Sequence, residues 1–531
     1  MDRKRLLAVL EGCRSIVKLK KIHACVVTLG LLQNHQSLAS KILTVYTKLG
    51  HPQHAYKLFN QIQDPDIVSW TSLIYLHLRE EDPNTAFLAF SRLINCGLRP
   101  DSYSVVGSLC ACGLDKNLLG GKMVHGMVLR FQLGLDPIVG NALIDMYSRN
   151  GEIEVARRVF EGMGVKDIAS WNSLINGFVM CGYLEGARDV FDEMPLRNWI
   201  SWTAMMTGYV RGKAPVIALK LFKEMKIEGK NQPTAITVVS VLSGCSDIGA
   251  LDFGSSIHGY VNKTYLSEDV TVSNALMDMY SKSGDLDVSL KIFSEIGVKK
   301  DVFSWTTMIS AYATHGKAEQ ALEVFSAMLE SGVAPNKVTF LSVLSACTHA
   351  GLVTEGQRLF QEMVVWYRLK PRIEHYGCLL DLLSRAGHLE EAKILIDNMP
   401  VSPDGPIWRS FLSACLLHGN LNLAEMAGKK VVELEPDDDG VYVLLWQICS
   451  AANRQEDGLK IRKLMRNHKV KKKPGCSWLE LNGVIHEFLA EDALHQDVGR
   501  KIHWVLDSIR EPSRLDLGWS CFATRKLIGS M

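Results

Sequence analysis

Few residues of this 531-residue chain stand at spacings that make or break bonds. A zinc-activated water needs a His-x-Glu, which supplies one ligand and a proton shuttle, and a Pro-Cys-x-x-Cys for the remaining ligands. The chain offers His388-Leu389-Glu390 but no Cys-x-x-Cys to complete it. Cys110-x-Cys112 is half of a metal clasp, yet Cys112 shares its register with Cys245, Cys347 and Cys415, which marks a small buried packing residue. His23, His125 and His258 recur once per long stretch of chain and cannot assemble one site, so they read as structural. No phosphate-binding glycine loop and no Gly-x-Ser-x-Gly elbow occurs. The expectation is no catalytic residue, no metal and no cofactor.

What recurs instead is hydrogen-bonding capacity. A first series, Ser40, Thr71, Asn141, Asn172, Thr203, Asn274 and Thr306, stays within three small polar residue types, although helix interiors gain nothing intrinsic from them. A second series, Asp66, Asp101, Asp167, Asn198, Thr234, Asp301 and Asn336, closes the same stretches. Such a closing residue can cap the next helix. Capping alone does not require Asn, Thr and Asp to alternate in step with another row, so the paired variation favours a binding role. A carboxylate only accepts hydrogen bonds, whereas an amide also donates. Pairs of this kind can sort planar ligands by the donors and acceptors on their edges, one nucleobase per repeat. Val68, Ile200 and Phe303, each three residues before a first-series member, are placed to stack on the bases.

The elements that must carry these rows follow from internal repetition. IVSWTSLI (67–74), IASWNSLI (168–175), WISWTAMM (199–206) and VFSWTTMI (302–309) are versions of one phrase, with Trp408 in PIWRSFL as a fifth. Their tryptophans step by 101, 31, 103 and 103 residues, single or triple multiples of about 34. Tyr46, Tyr147 and Tyr280 mark a second phrase. A third pattern, Gly then Ala or Ser then Phe, gives Gly50/Ala55/Phe59, Gly151/Ala156/Phe160, Gly182/Ala187/Phe191, Gly284/Ser289/Phe293 and Gly316/Ala321/Phe325. Registering on these anchors gives eleven units over 36–404, namely 36–66, 67–101, 102–136, 137–167, 168–198, 199–234, 235–269, 270–301, 302–336, 337–372 and 373–404, after a partial unit at 1–35.

Each unit reads as two short helices, with Ser69 in the position of an N-cap and a glycine near mid-unit for the chain reversal. The small and bulky residues four apart on the second helix suit close helix packing. One helical pair cannot bury its apolar face alone, so the units must stack into a shared core. The expected fold is all-α, an α-solenoid of tandem helix-turn-helix repeats. With 59 Lys and Arg against 57 Asp and Glu, the net charge of +2 argues against a histone-like basic binder. Thirteen cysteines without paired spacing argue against a disulfide framework, and no apolar run reaches the length of a membrane helix.

These phrases, lengths and anchors resemble plant pentatricopeptide repeat proteins of the PLS subclass. The resemblance implies a right-handed superhelix. VLSGC (241–245) and VLSAC (343–347) resemble the hallmark of the long repeat variant, and NALIDMY (141–147) that of the short one. Residues 405–471 look like that class's E extension and 472–510 like its E+ segment. The tail 511–531 matches nothing, and no deaminase domain of DYW type is expected. The densest basic run, 460–473, reads as a solvated helix face, with a phosphate or partner contact as the alternative.

Carried over residue by residue, the family's rule makes Ser40/Asp66 and Thr71/Asp101 select G, Asn141/Asp167 and Asn274/Asp301 select U, Asn172/Asn198 a pyrimidine, Thr203/Thr234 a purine and Thr306/Asn336 A. Val106, Val239, Leu341 and Gly377 leave their units unread. The implied target is a single RNA strand of form G-G-x-U-Y-R-x-U-A-x, and exchanging Asn274 for Thr is expected to turn U into G. The resemblance implies a site-recognition factor for C-to-U editing of an organellar transcript, with a DYW-type deaminase and other editing factors acting in trans. RNA stabilisation, splicing or translation without editing is the alternative. A tetratricopeptide-like scaffold is a second one, although Trp70 is followed by Thr-Ser-Leu-Ile and not by that family's Leu-Gly pattern. The opening MDRKRLLAVLEGCRSIVKLKK is basic enough for a presequence, and an incomplete N-terminus is equally compatible with it. The mitochondrion is the expected location, with the chloroplast as alternative.

Overall fold

The computed structural model describes residues 9–30, 36–451, 454–467, 476–481 and 484–489. Expectations for 511–531 and for most of 468–510 lie outside the described residues. The chain divides into two bodies, Met1–Lys299 and Lys300–Met531, each a stack of helical hairpins. From 36 to 467 the described elements are α-helices of 8 to 14 residues with two short 3-10 turns among them. Helices this short are marginal alone, so their stability comes from stacking.

In the first body the first helices of successive units pack on one another in order, from Gln36–Leu49 onto Ile67–Arg79, then Ser102–Leu114, and on to Val270–Lys282. In the second body the same succession runs from Val302–Thr314 to Gly405–Leu417 and Asp439–Ala451. Second helices, such as Ile153–Gly162 and Leu184–Glu193, pack against their own first helix and the one that follows. This arrangement is the α-solenoid that the repetition implies.

The anchors have distinct physical tasks. Ala156, Ala187, Ala321 and Ser289 have no exposed surface, which permits close helix approach. The phenylalanine four residues on meets the tryptophan of the next unit edge to face, at 4.9 Å for Phe59–Trp70, 4.8 Å for Phe160–Trp171 and 4.9 Å for Phe191–Trp202. Such pairs contribute about 0.5–1.5 kcal/mol beyond area burial. The recurrent histidines and tyrosines are partners: Nδ1 of His23, His125 and His258 lies 3.1, 2.9 and 3.0 Å from the hydroxyls of Tyr46, Tyr147 and Tyr280. Burial holds all three imidazoles below their ordinary 6.5, which favours the neutral ring beside each tyrosine hydroxyl. Cys112, Cys245, Cys347 and Cys415 are fully buried. Burial pushes the thiols of Cys112 up to about 12 and of Cys347 and Cys415 to about 11.

Gly151, at φ 81°, shows what the mid-unit glycine does. Its left-handed backbone lets its own N–H reach Ser148 O at 3.0 Å and the Glu152 N–H reach Tyr147 O at 2.9 Å, closing the helix C-terminus. Glu81, Lys116 and Lys213 make the same turn with φ of 58°, 52° and 60° and no glycine. Ser69 departs from expectation. It is the third residue of its helix, and the cap is Asp66, whose Oδ1 accepts the Ser69 N–H at 2.9 Å. A second departure is β1 (Cys476–Leu481) paired antiparallel with β2 (Val484–Leu489), in register from Cys476 opposite Leu489 to Leu481 opposite Val484. Among the described residues no helix is long and apolar enough to cross a membrane.

Candidate nucleic-acid interface

Each member of the closing series sits at the start of a first helix, and all seven are N-caps. Oδ1 of Asp66, Asp101, Asp167, Asn198, Asp301 and Asn336 accepts the N–H of the third helical residue at 2.8–3.0 Å, and Thr234 Oγ1 does so at 3.4 Å. The expectation set capping against binding as rivals. The geometry corrects that opposition, because a cap consumes only one atom. In Asp66 and Asp101 the hydrogen bonds converge on Oδ1, and the second carboxylate oxygen takes no part in the cap. In Asn198 and Asn336 the same holds for Oδ1, and the amide Nδ2 takes no part. Asp66 and Asp101 therefore keep an acceptor, and Asn198 and Asn336 a donor, outside the cap on an already fixed side chain.

The first series is not displayed at the surface. Ser40, Asn172, Thr203, Asn274 and Thr306 are between 2% and 9% exposed, and Thr71 and Asn141 are half-buried. They are sunk into the seam between neighbouring first helices. A side chain five residues after the cap lies more than one helical turn inside, where the next helix covers it. The seam brings the two series together. Ser40 Oγ donates to Asp66 Oδ1 at 2.8 Å, and Asn172 Nδ2 donates to Asn198 Oδ1 at 3.3 Å. Asn141 sits beside Asp167 and helps to lower its carboxyl, while its own buried Oδ1 has no hydrogen-bond partner. Thr203 and Thr234 meet through Thr237, at 2.7 and 3.0 Å, and Thr306 and Asn336 through Thr339, at 2.7 and 3.2 Å. Thr71 forms no bond to Asp101, and its buried hydroxyl is left unpaired. Asn274 belongs to the first body and Asp301 to the second. Partial burial would raise the Asp167 carboxyl, but hydrogen bonds from Ser170, Asn141 and the Ala169 backbone outweigh it and hold it below the usual range.

Beside the caps runs a row of exposed apolar side chains at the second helical position. Val68, Ile200 and Phe303 are there as expected, with Phe303 65% exposed. Tyr103, Ile138, Ile236 and Val338 share the register and are also exposed. Sequence reasoning did not name these four, although counting two residues on from Asp101, Thr234 and Asn336 finds three of them, and from the helix cap Asp136 the fourth.

The row changes character near the C-terminal end. Gly377 stands in the first-series register, and a Cβ there would meet nothing within 4 Å. It borders an open cavity of about 960 Å³ lined by Asp381, Asp404 and Ser410 among others. In the next unit the register falls on Arg409, which ion-pairs with Asp438 and, at 3.2 Å, with Glu435. That unit has closed its own seam with charge. Beyond it, the described part of the basic run lies on helix Gln455–Asn467, where Arg462 covers the Trp446 ring. His388 caps helix Leu389–Asp397 and bonds to Glu391 at 2.9 Å. Among the described residues no three His, Cys, Asp or Glu side chains cluster as metal ligands do.

A stack of two-helix units that repeats the same cap and apolar neighbour in each body defines a helical-repeat protein. Models of the PPR repeat match residues 68–98, 141–168, 169–198, 200–229, 271–300, 338–366 and 374–402, that of the PPR repeat family matches 300–349, and that of the E motif matches 418–480. The pentatricopeptide repeat-containing protein ELI1, chloroplastic, of Arabidopsis thaliana is 40% identical across 96% of this chain and 80% of its own. A mitochondrial pentatricopeptide repeat-containing protein of the same plant is 31% identical across 97% of this chain and 79% of its own. The crystal structure of the pentatricopeptide repeat protein PPR10 in complex with an 18-nt psaJ RNA element aligns with 88% of this chain and 82% of that one, at 13% identity and a TM-score of 0.44. The chain belongs to the pentatricopeptide repeat family, and its repeats followed by an E motif fit the E-type of the PLS subclass.

Proposed function

We propose that the chain is a sequence-specific single-stranded RNA-binding protein that marks a C-to-U editing site in an organellar transcript, with the deaminase supplied in trans. The reading rests on one observation: seven helix caps share one register, and at Asp66, Asp101, Asn198 and Asn336 the cap engages one polar atom of the side chain while the second takes no part in it. Asp offers an acceptor for the ring N–H of G or U, and Asn a donor for the ring nitrogen of A or C. The exposed apolar row at the second helical position suits stacking against the bases. Relatives named as chloroplastic and mitochondrial favour an organelle, and we place the protein in the mitochondrion.

A strand of form G-G-x-U-Y-R-x-U-A-x is expected to shift the full chain in a gel where a scrambled strand does not, with modest salt dependence given the near-neutral charge. Equal binding to both strands refutes sequence-specific readout. Profiling C-to-U sites in both organelles of a null plant then tests editing. Loss of conversion at one site supports it, whereas intact conversion with a missing or unspliced transcript favours a role in RNA maturation.

A further inference from the structure

A third series runs through the same seam. Three residues after each cap stand Ser69, Ser104, Ser170, Ser201, Thr237, Ser304 and Thr339, none with any exposed surface. The hydroxyls of Ser69, Ser201, Thr237 and Thr339 reach the first-series side chain of the preceding unit. Ser69 Oγ donates to Ser40 Oγ at 3.0 Å, and Ser201 Oγ lies 2.7 Å from Asn172 Oδ1 and 3.0 Å from Asn198 Oδ1. Thr237 and Thr339 lie 2.7 Å from Thr203 and Thr306. Ser104 and Ser170 bind the closing carboxylates of Asp101 and Asp167 at 2.7 and 2.8 Å.

At Ser104, Ser201, Thr237, Ser304 and Thr339 the hydroxyl also accepts the N–H of the cap residue and completes a capping box, but the cap itself needs only the backbone N–H three residues on. Val139 and Ile407 supply the same N–H to Asp136 and Asp404, at 2.9 and 3.1 Å, with no hydroxyl at all. The hydroxyl follows the first series instead. After each of its seven polar members comes a Ser or Thr, Asn274 being matched to Ser304 by sequence register alone. After Val106, Val239, Leu341 and Gly377 come Val139, Val272, His375 and Ile407, none of them a hydroxyl. A buried hydroxyl costs free energy unless it is hydrogen-bonded, so it persists where a polar partner exists and disappears where none does.

We infer that this buried hydroxyl is a positioning residue for base selection. It fixes which edge of the first-series side chain faces the closing residue and the base. At Asn172 the Ser201 hydroxyl engages Oδ1, which turns Nδ2 toward Asn198. This inference rests on the one-base-per-unit reading.

The test is Thr339→Val in the full chain, measured against four RNAs that differ only at the nucleotide addressed by 302–336. Valine is isosteric and is already the residue at 139 and 272, so volume and the bond from the Thr339 N–H to Asn336 survive, and only the hydroxyl's own bonds, to Thr306 and to the Asn336 N–H, are lost. The preference for A is expected to fall by about tenfold, the factor of one ordinary buried hydrogen bond, and Thr339→Ser is expected to restore it. An unchanged preference, or equal weakening toward all four RNAs, overturns the inference. Ser201→Ala repeats the test at the pyrimidine addressed by 168–198. As a gain of function, Val106→Asn with Val139→Ser is expected to create a preference at an unread nucleotide. The same preference from Val106→Asn alone also overturns the inference. Thr306→Asn separates the two levels: if it leaves the preference at 302–336 untouched, one-base-per-unit readout itself fails. If it moves the preference while Thr339→Val does not, only the positioning role falls.

Discussion

Asp66→Asn and Asp66→Ala divide the two duties of one side chain. Asp66 Oδ1 accepts the Ser69 N–H at 2.9 Å and the Ser40 hydroxyl at 2.8 Å, and Asn can keep both through its own Oδ1. Asn and Asp rank alike as caps, so the stability cost is only the lost negative charge at a helix N-terminus, about 0.3–1 kcal/mol. Alanine removes the cap, about 1 kcal/mol, and takes an acceptor from the buried Ser40 hydroxyl, about another 1 kcal/mol. Denaturant unfolding is therefore expected to place Asp66→Ala about 2 kcal/mol below wild type and Asp66→Asn within about 1 kcal/mol. Fluorescence anisotropy with RNAs carrying G or A at the first position is expected to show the reverse emphasis. A hydrogen bond to a charged acceptor contributes about 1.5–3 kcal/mol. Asp66→Asn should thus abolish a G preference of about tenfold or more and favour A, while Asp66→Ala should prefer neither. A folded Asp66→Asn that still prefers G refutes the claim that the second carboxylate atom reads the base. An Asp66→Asn as unstable as Asp66→Ala refutes the retained cap.

Four further outcomes follow from the packing. His125 is held neutral below its ordinary 6.5 by burial against Tyr147, so the unfolded chain takes up the proton first and stability falls as pH drops below about 6.5. Thermal unfolding of His125→Phe across pH 7 to 5 is expected to decline less steeply than wild type. Asp167 gives a second, more acidic limb: its lowered carboxyl stabilises the fold above the ordinary 3.8 and loses that contribution as pH falls through the folded value, so Asp167→Asn should flatten melting curves there. Lys213→Gly relieves a left-handed residue at φ 60° and should raise stability by about 1 kcal/mol in denaturant unfolding. Trp202→Ala, which empties a site 3% exposed against Phe191, should cost about 3–5 kcal/mol.

The helical repeat was legible because its anchors are spaced by packing. Trp70, Ala156 and Gly151 each serve a packing or turn that returns in unit after unit of the same type, and repetition exposes them without any alignment. The mutual contact of His125 and Tyr147 was hidden, since both were recognised as recurrent but nothing in the residue types alone paired them. The seven closing residues were found, yet capping was set against binding because a sequence gives a side chain one identity and not two separately placed atoms. The burial of Asn172 and Thr203 escaped for a related reason: small polar types suggest a surface, and only the approach of the next helix encloses them. The β1–β2 hairpin was missed although Asn482-Gly483 between two strand-like runs is a short-range hairpin signal, because a strong 34-residue rhythm drew attention to helices alone.

On the proposed readout, the shared duty of Asp66 and its six counterparts limits how such a protein can change its target. A helix start tolerates a short palette of side chains, and Asp and Asn both belong to it. Exchanging one for the other inverts the outward atom from acceptor to donor while the fold is hardly disturbed, and one codon position separates the two residues. Retargeting can therefore proceed one nucleotide at a time through folded intermediates, and letters outside that palette stay out of reach because they unmoor the helix that presents them.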